Sequence, residues 1–258
     1  MTNHQRITYH NTLIDEAIEK ANSLPDAGSD GSYDEGYTDG QRAEYDRFWD
    51  AFQENGNRAT YAGGFAGRGW TVDTFKPKYR VALNGTAVAD YMFMYFNCIS
   101  TGDTDNLLDF TEFNSMFDFS ASKRLQNTFY NARIKNLYVD CSNASTMTST
   151  FDADNGGYIE NLTLKVTTKT TSFTSTFKNQ GNTKNITFTD DSVIAANISF
   201  NLCRKLTKSS ITSIINALSS STSGLTLTLS KTAKEAAFTA DEWSALIATK
   251  SNWTISLA

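Results

Sequence analysis

The residues that could carry proton chemistry are few and badly placed for it. His4 and His10 are the only histidines, and both stand among the first ten residues. A Ser-His-Asp or Cys-His site in the folded body is therefore not expected, because each needs an imidazole beside its nucleophile. Carboxylates alone can divide acid and base roles, as glycosidases and lyases do. Asp103, Asp105, Asp109, Asp140 and Asp152 are the candidates, although solvated turn carboxylates account for the same residues. Asp152-Ala153-Asp154-Asn155-Gly156-Gly157 matches the first and third positions of a calcium loop. Thr163 stands where that loop requires its bidentate glutamate, so a turn is the expectation.

Metal, redox and phosphate chemistry find no better footing. Cys98, Cys141 and Cys203 are far apart and form no CxxC pair, which points to buried free thiols rather than a disulfide framework or a zinc site. Residues 63–69 are glycine-rich but lack the Lys-Ser/Thr ending of a phosphate loop and the spacing of a dinucleotide fingerprint. No cofactor and no metal are expected.

The elements that would position a site follow from a repeat. Ile134-Lys135-Asn136-Leu137-Tyr138-Val139-Asp140, Ile159-Glu160-Asn161-Leu162-Thr163-Leu164-Lys165 and Thr183-Lys184-Asn185-Ile186-Thr187-Phe188-Thr189 align without gaps. The offsets, 25 residues from Leu137 to Leu162 and 24 from Leu162 to Ile186, fall in the range of stacked-repeat proteins. A Thr-Phe pair precedes each copy, at Phe129, Phe151 and Phe177, and weaker copies stand at Leu108-Asp109-Phe110-Thr111 and Val81-Ala82-Leu83. The period-two alternation of Leu137/Val139, Leu162/Leu164 and Ile186/Phe188 predicts short strands with one face inward. Stacking would join them into a parallel sheet, with the phenylalanines filling the layer behind and each asparagine bonding a neighbouring turn's backbone. The outward positions are then Asp109, Thr111, Tyr138, Asp140, Thr163, Lys165, Thr187 and Thr189, the place to look for a ligand surface.

Flanking segments read differently. Leu13, Ile14, Ala17, Ile18, Ala21 and Leu24 give one helical stripe, ended by Pro25. Ser32 and Glu35 form a capping box for a second helix with an aromatic stripe: Tyr37, Tyr45, Phe48, Trp49 and Phe52. Gly36 and Gly40 each cost that helix about 1 kcal/mol against alanine, which points to close approach of another backbone, either the chain's own body or a docking partner. At the other end, Ile211, Ile214, Ile215 and Leu218 form a helical stripe, and Leu225, Leu227 and Leu229 alternate as a strand. A capping box at Thr239 and Glu242 starts a helix carrying Trp243, Leu246 and Ile247, which leads to Trp253, Ile255 and Leu257.

Composition bounds the partners. The 258 residues are 40% hydrophobic and 20% charged with two prolines, which argues for a folded chain. A net charge of −5 with no basic stripe argues against nucleic acid. No run of about 18 apolar residues and no signal segment is visible, so neither membrane insertion nor secretory export is expected.

The irregular repeat, Thr-Phe followed by Asn-Leu-x-Leu, resembles the BspA-like leucine-rich repeats of bacterial surface proteins. Gly36-Tyr37-Thr38-Asp39-Gly40, Glu44-Tyr45-Asp46-Arg47-Phe48-Trp49-Asp50, Thr74-Phe75-Lys76-Pro77-Lys78-Tyr79 and the stretch from Leu206 to Ile255 are similar to leucine-rich-repeat proteins encoded among tail and baseplate genes of phages and prophages of gut Firmicutes. The likeness covers residues 33 to 258. It implies a non-catalytic virion component, released by lysis, whose partners are other tail proteins, a second copy of itself, or a host-surface glycan or protein. A bacterial surface adhesin and a carboxylate-based polysaccharide-degrading enzyme on the same scaffold are the alternatives. The expected fold is an α+β repeat: a leucine-rich-repeat-like solenoid over 79–205 with short parallel strands, an N-terminal helix and linker over 1–31, an attachment segment over 32–78, and a helix-strand-helix-strand cap over 206–258. Docking through Gly36, Gly40 and the aromatic stripe predicts a light-scattering mass of two or more chains for the purified protein; one chain at high concentration contradicts it.

Overall fold

The computed structural model describes residues 81–82, 89–90, 92–94, 107–111, 117–153 and 158–258. The expected helices before residue 79, with Gly36, Tyr37, Gly40, Tyr45, Phe48, Trp49 and Phe52, lie outside them, as do Asp103 and Asp105.

The described chain is mixed α/β, and every strand pairing in it is parallel. The strands are β1 (Val81–Ala82), β2 (Leu108–Phe110), β3 (Phe117–Asp118), β4 (Arg133–Asp140), β5 (Tyr158–Lys165), β6 (Asn185–Phe188), β7 (Ile198–Phe200), β8 (Leu225–Leu229) and β9 (Trp253–Leu257). Three helices follow β7: α1 (Lys208–Ala217), α2 (Lys231–Ala237) and α3 (Ala240–Ala248). The three gapless repeats become β4, β5 and β6, paired so that Leu137 faces Leu162 and Leu162 faces Ile186. The weak copy at Leu108 joins as β2, in the order β2-β4-β5-β6. Val81–Ala82 does not extend that sheet; it pairs with β3, a strand too short to show any periodicity.

The alternation is not strict. Ile134, Leu137 and Val139 are buried in β4, and Ile159, Leu162 and Leu164 in β5. The charge-Asn pair between the first two inward residues faces away from the core on each strand. It is the point where the inward series shifts phase.

Behind the strands, Phe93, Phe129, Phe151, Phe177 and Phe200 form a continuous stack, all fully buried or nearly so. Successive centroids lie 5.2, 5.6, 5.7 and 4.4 Å apart with near-parallel planes. The threonines before Phe129, Phe151 and Phe177 donate backward along the chain: Thr128 Oγ1 to Ala89 O at 2.9 Å, Thr150 Oγ1 to Leu125 O at 2.5 Å and Thr176 Oγ1 to Met147 O at 2.6 Å. The phenylalanine backbone N–H donates forward, from Phe129 to Thr150 O and from Phe151 to Thr176 O. Two residues before Phe129, Phe151 and Phe177, the residues Asn127, Ser149 and Ser175 all adopt left-handed backbone, with φ of 52°, 49° and 53°. The same tight turn thus recurs at the same place.

The C-terminal elements depart from a simple continuation of this sheet. β7, β8 and β9 form a separate parallel sheet on the phenylalanine side, with Phe200 beside Leu229 and Leu229 beside Leu257. The edge of β6 receives α1 instead of a strand: Ile186 N donates to Ser210 Oγ and Phe188 N to Ser213 Oγ, both at 2.9 Å. Serine hydroxyls on a helix thereby satisfy N–H groups that a next strand would otherwise take. The helix ends at Ala217, where the buried Lys250 ammonium donates to the carbonyls of Asn216 and Leu218. Helix α2 has no counterpart in the sequence reading, since Ala233 is its one buried residue and no apolar stripe forms. The Thr239–Glu242 capping box is present as expected. One buried cluster runs through the four-stranded and the three-stranded sheets, from Ala89 to Trp253.

Phe151 is fully buried between the rings of Phe129 and Phe177. Phe151→Ala is expected to cost about 3–5 kcal/mol of unfolding free energy in urea titration; a loss below about 1 kcal/mol would mean that the stack does not exist in solution.

Candidate binding face

The outward positions of the four-stranded sheet form three columns running across the strands. The first is a chain of side-chain amides. Asn136 Nδ2 donates to both oxygens of Asp109 at 3.1 Å, Asn161 Nδ2 to Asn136 Oδ1 at 2.8 Å, and Asn185 Nδ2 to Asn161 Oδ1 at 2.7 Å. Thr207, the N-cap of α1, closes the row by donating to Asn185 Oδ1 at 2.9 Å. All donors point the same way, from the helix N-terminus toward the Asp109 carboxylate. Each amide therefore turns its N–H toward the anionic Asp109 end and its oxygen toward the positive helix N-terminus, the orientation that both ends favour. These asparagines bond one another's side chains and not, as expected, a neighbouring turn's backbone.

The second column is Tyr138, Thr163 and Thr187, in register on β4, β5 and β6. Burial, then the nearby Asp140 carboxylate, raises the Tyr138 phenol above its ordinary value, so it stays a neutral donor and acceptor. The third begins with Asp140 and Lys165, also in register. Asp140 accepts from Ser142 N at 2.9 Å, and Lys165 reaches Asp191 at 2.5 Å. Asp191 also accepts from Thr189 Oγ1 at 2.7 Å. The hydrogen bonds from Lys165 and Thr189 hold the Asp191 carboxyl below its usual range, and Asp191 raises Lys165 in turn. Thr111 lies at the far end of the face, its hydroxyl donating to Asp109 at 2.5 Å.

All eight outward residues named from the sequence therefore lie on or beside this sheet. What that reading missed is the internal bonding of the amide row and the contribution of α1, whose Lys208, Thr212 and Asn216 border β6. The recurrence of Asn at offsets of 25 and 24 residues was the available signal for the first. The polar side of α1, opposite its isoleucines, was the signal for the second.

The carboxylates here are fixed acceptors. Burial raises the Asp109 pKa, but hydrogen bonds from Thr111 and Asn136 outweigh it and the net shift is downward. Asp152, expected in a solvated turn, is buried, with Lys178 at 3.8 Å. It does not share the outward face, because it follows Phe151 into the packed layer. Among the described residues no three His, Cys, Asp or Glu side chains group as a metal site. Cys141 and Cys203 are buried; burial raises both thiols, that of Cys203 to about 12. Cys98 lies outside the described residues.

No family model matches this chain, and no curated protein and no solved structure matches it either. No helix among the described residues is long and apolar enough to cross a membrane.

Because the folded Asp109 value is lowered, its ionised form contributes stability above the ordinary carboxylate range, and that contribution is lost as pH falls through the folded value. Carboxyl NMR should find Asp109 titrating below its ordinary value, and Asn136→Ala should move it upward. A midpoint at or above the ordinary value in the unaltered protein would contradict the bonding described.

Proposed function

We propose that the chain is a leucine-rich-repeat-like solenoid that works by binding, as a non-catalytic tail- or baseplate-associated component of a phage or prophage. Its outward strand face meets a glycan or protein on the host surface, and its N-terminal segment mounts it on other tail proteins or on a second copy. The observation that carries this reading is the bonded row from Asp109 to Thr207, which holds the adjacent columns of Tyr138, Thr163 and Thr187 in register. A surface fixed before its ligand arrives loses little side-chain freedom on binding, which is the condition for a useful recognition surface. The likeness of the flanks and C-terminal stretch to phage-encoded repeat proteins supports the virion setting, and the absence of a histidine from the body supports a role without catalysis.

Fluorescently labelled protein should adsorb saturably to cells of a gut Firmicute host and compete with phage for them. Placing charge on the middle column, Thr163→Glu with Thr187→Glu, should reduce adsorption about tenfold or more while leaving the fold intact, since neither residue is buried. Protein that neither adsorbs nor competes, across hosts that the phage infects, would overturn host binding.

A further inference from the structure

The outward face is not open at its β6 end. There α1 rises beside the strand and leaves a cleft of about 790 Å³, within the usual range of small-ligand sites. Thr187 and Thr189, two of the outward residues, line it from the sheet, and Thr212 and Asn216 line it from the helix. We propose that this cleft binds a short, neutral segment of a sugar chain, an inference that rests on the binding role proposed above and names the part of the face that does it.

The assignment comes from what the cleft offers and what it withholds. Thr187, Asp190, Thr212 and Asn216 are solvent-accessible and make no side-chain hydrogen bond to another described residue. Together they supply donors and acceptors at short range from both walls, the pattern that vicinal hydroxyls match. An extended peptide is disfavoured, because strand addition needs the β6 edge and the N–H groups of Ile186 and Phe188 already bond Ser210 and Ser213. An anion is disfavoured by charge: Lys208 is held by Glu242 at 2.6 Å and Lys165 by Asp191, while the Asp190 carboxylate lies in the wall. An apolar ligand would leave unpaired whichever of these hydroxyl, amide and carboxylate groups it covers.

The test is saturation-transfer NMR of the full chain with maltotriose, mannotriose and chitotriose as neutral probes and sialyllactose as an anionic one. At least one neutral trisaccharide should give transfer, and sialyllactose should give less. Thr212→Val combined with Asn216→Leu, on the exposed side of α1, should weaken that binding about tenfold or more, with an unchanged circular dichroism melt showing that the fold is kept. Thr174→Val, on a different face, should have no effect. Transfer from none of the neutral probes, or undiminished transfer to the double variant, would overturn the assignment. Cell adsorption measured on the same proteins separates the two proposals: if no neutral probe shows transfer while adsorption persists, the strand face stands as a binding surface and only the sugar assignment falls.

Discussion

Phe129, Phe151 and Phe177 each have a ring above and a ring below, and that constraint sets the spacing of the residues around them. Phe129, Phe151 and Phe177 succeed one another at 5.6 and 5.7 Å, slightly more than the ~4.8 Å between paired strands. Offset rings accommodate the difference, and the strands keep their register. Since a slip of one residue would turn Leu137 and Val139 outward, the register has to be held firmly. It is held at three points around each repeat: by the rings, by the buried threonine hydroxyls that reach the previous repeat, and by the outward asparagine amides.

The consequence is a surface built indirectly. Each outward residue on the strands is placed by what its inward neighbours pack against. Leu162 and Leu164 are buried, so Thr163 between them points out, beside Tyr138 and Thr187. The amide row adds rigidity at right angles to the strands. At β6 the same logic stops: α1 satisfies the strand edge with serine hydroxyls, ends the sheet, and supplies the second wall of the cleft. Thr207 joins the two, capping α1 by accepting from Ser210 N and ending the amide row by donating to Asn185.

Much of this was legible because it is periodic. The parallel pairing of β4, β5 and β6, the phenylalanine layer and the outward set from Asp109 to Thr189 all follow from two alternations and one repeated Thr-Phe pair. The Thr239 capping box was legible because its chemistry is local. What escaped the sequence reading is non-local or too short to repeat. β3 has two residues, and α2 buries only Ala233. The partner of each asparagine lies some 25 residues away in the chain, and nothing in its own neighbourhood distinguishes a backbone acceptor from another amide. The residues that follow Asp152, Asp154 to Gly157, point to a turn in the sequence, whereas its position directly after a stacked phenylalanine draws Asp152 inward.

In-register repeats that lock an outward amide row are the premise beneath both functional proposals. The most direct measurement is side-chain amide NMR on the isotopically labelled protein. The Nδ2 protons of Asn161 should show through-space contacts to Asn136 and those of Asn185 to Asn161, with exchange slower than in an unfolded chain. Random-coil exchange at Asn136, Asn161 and Asn185, with no contact between them, would contradict the register and the face built on it.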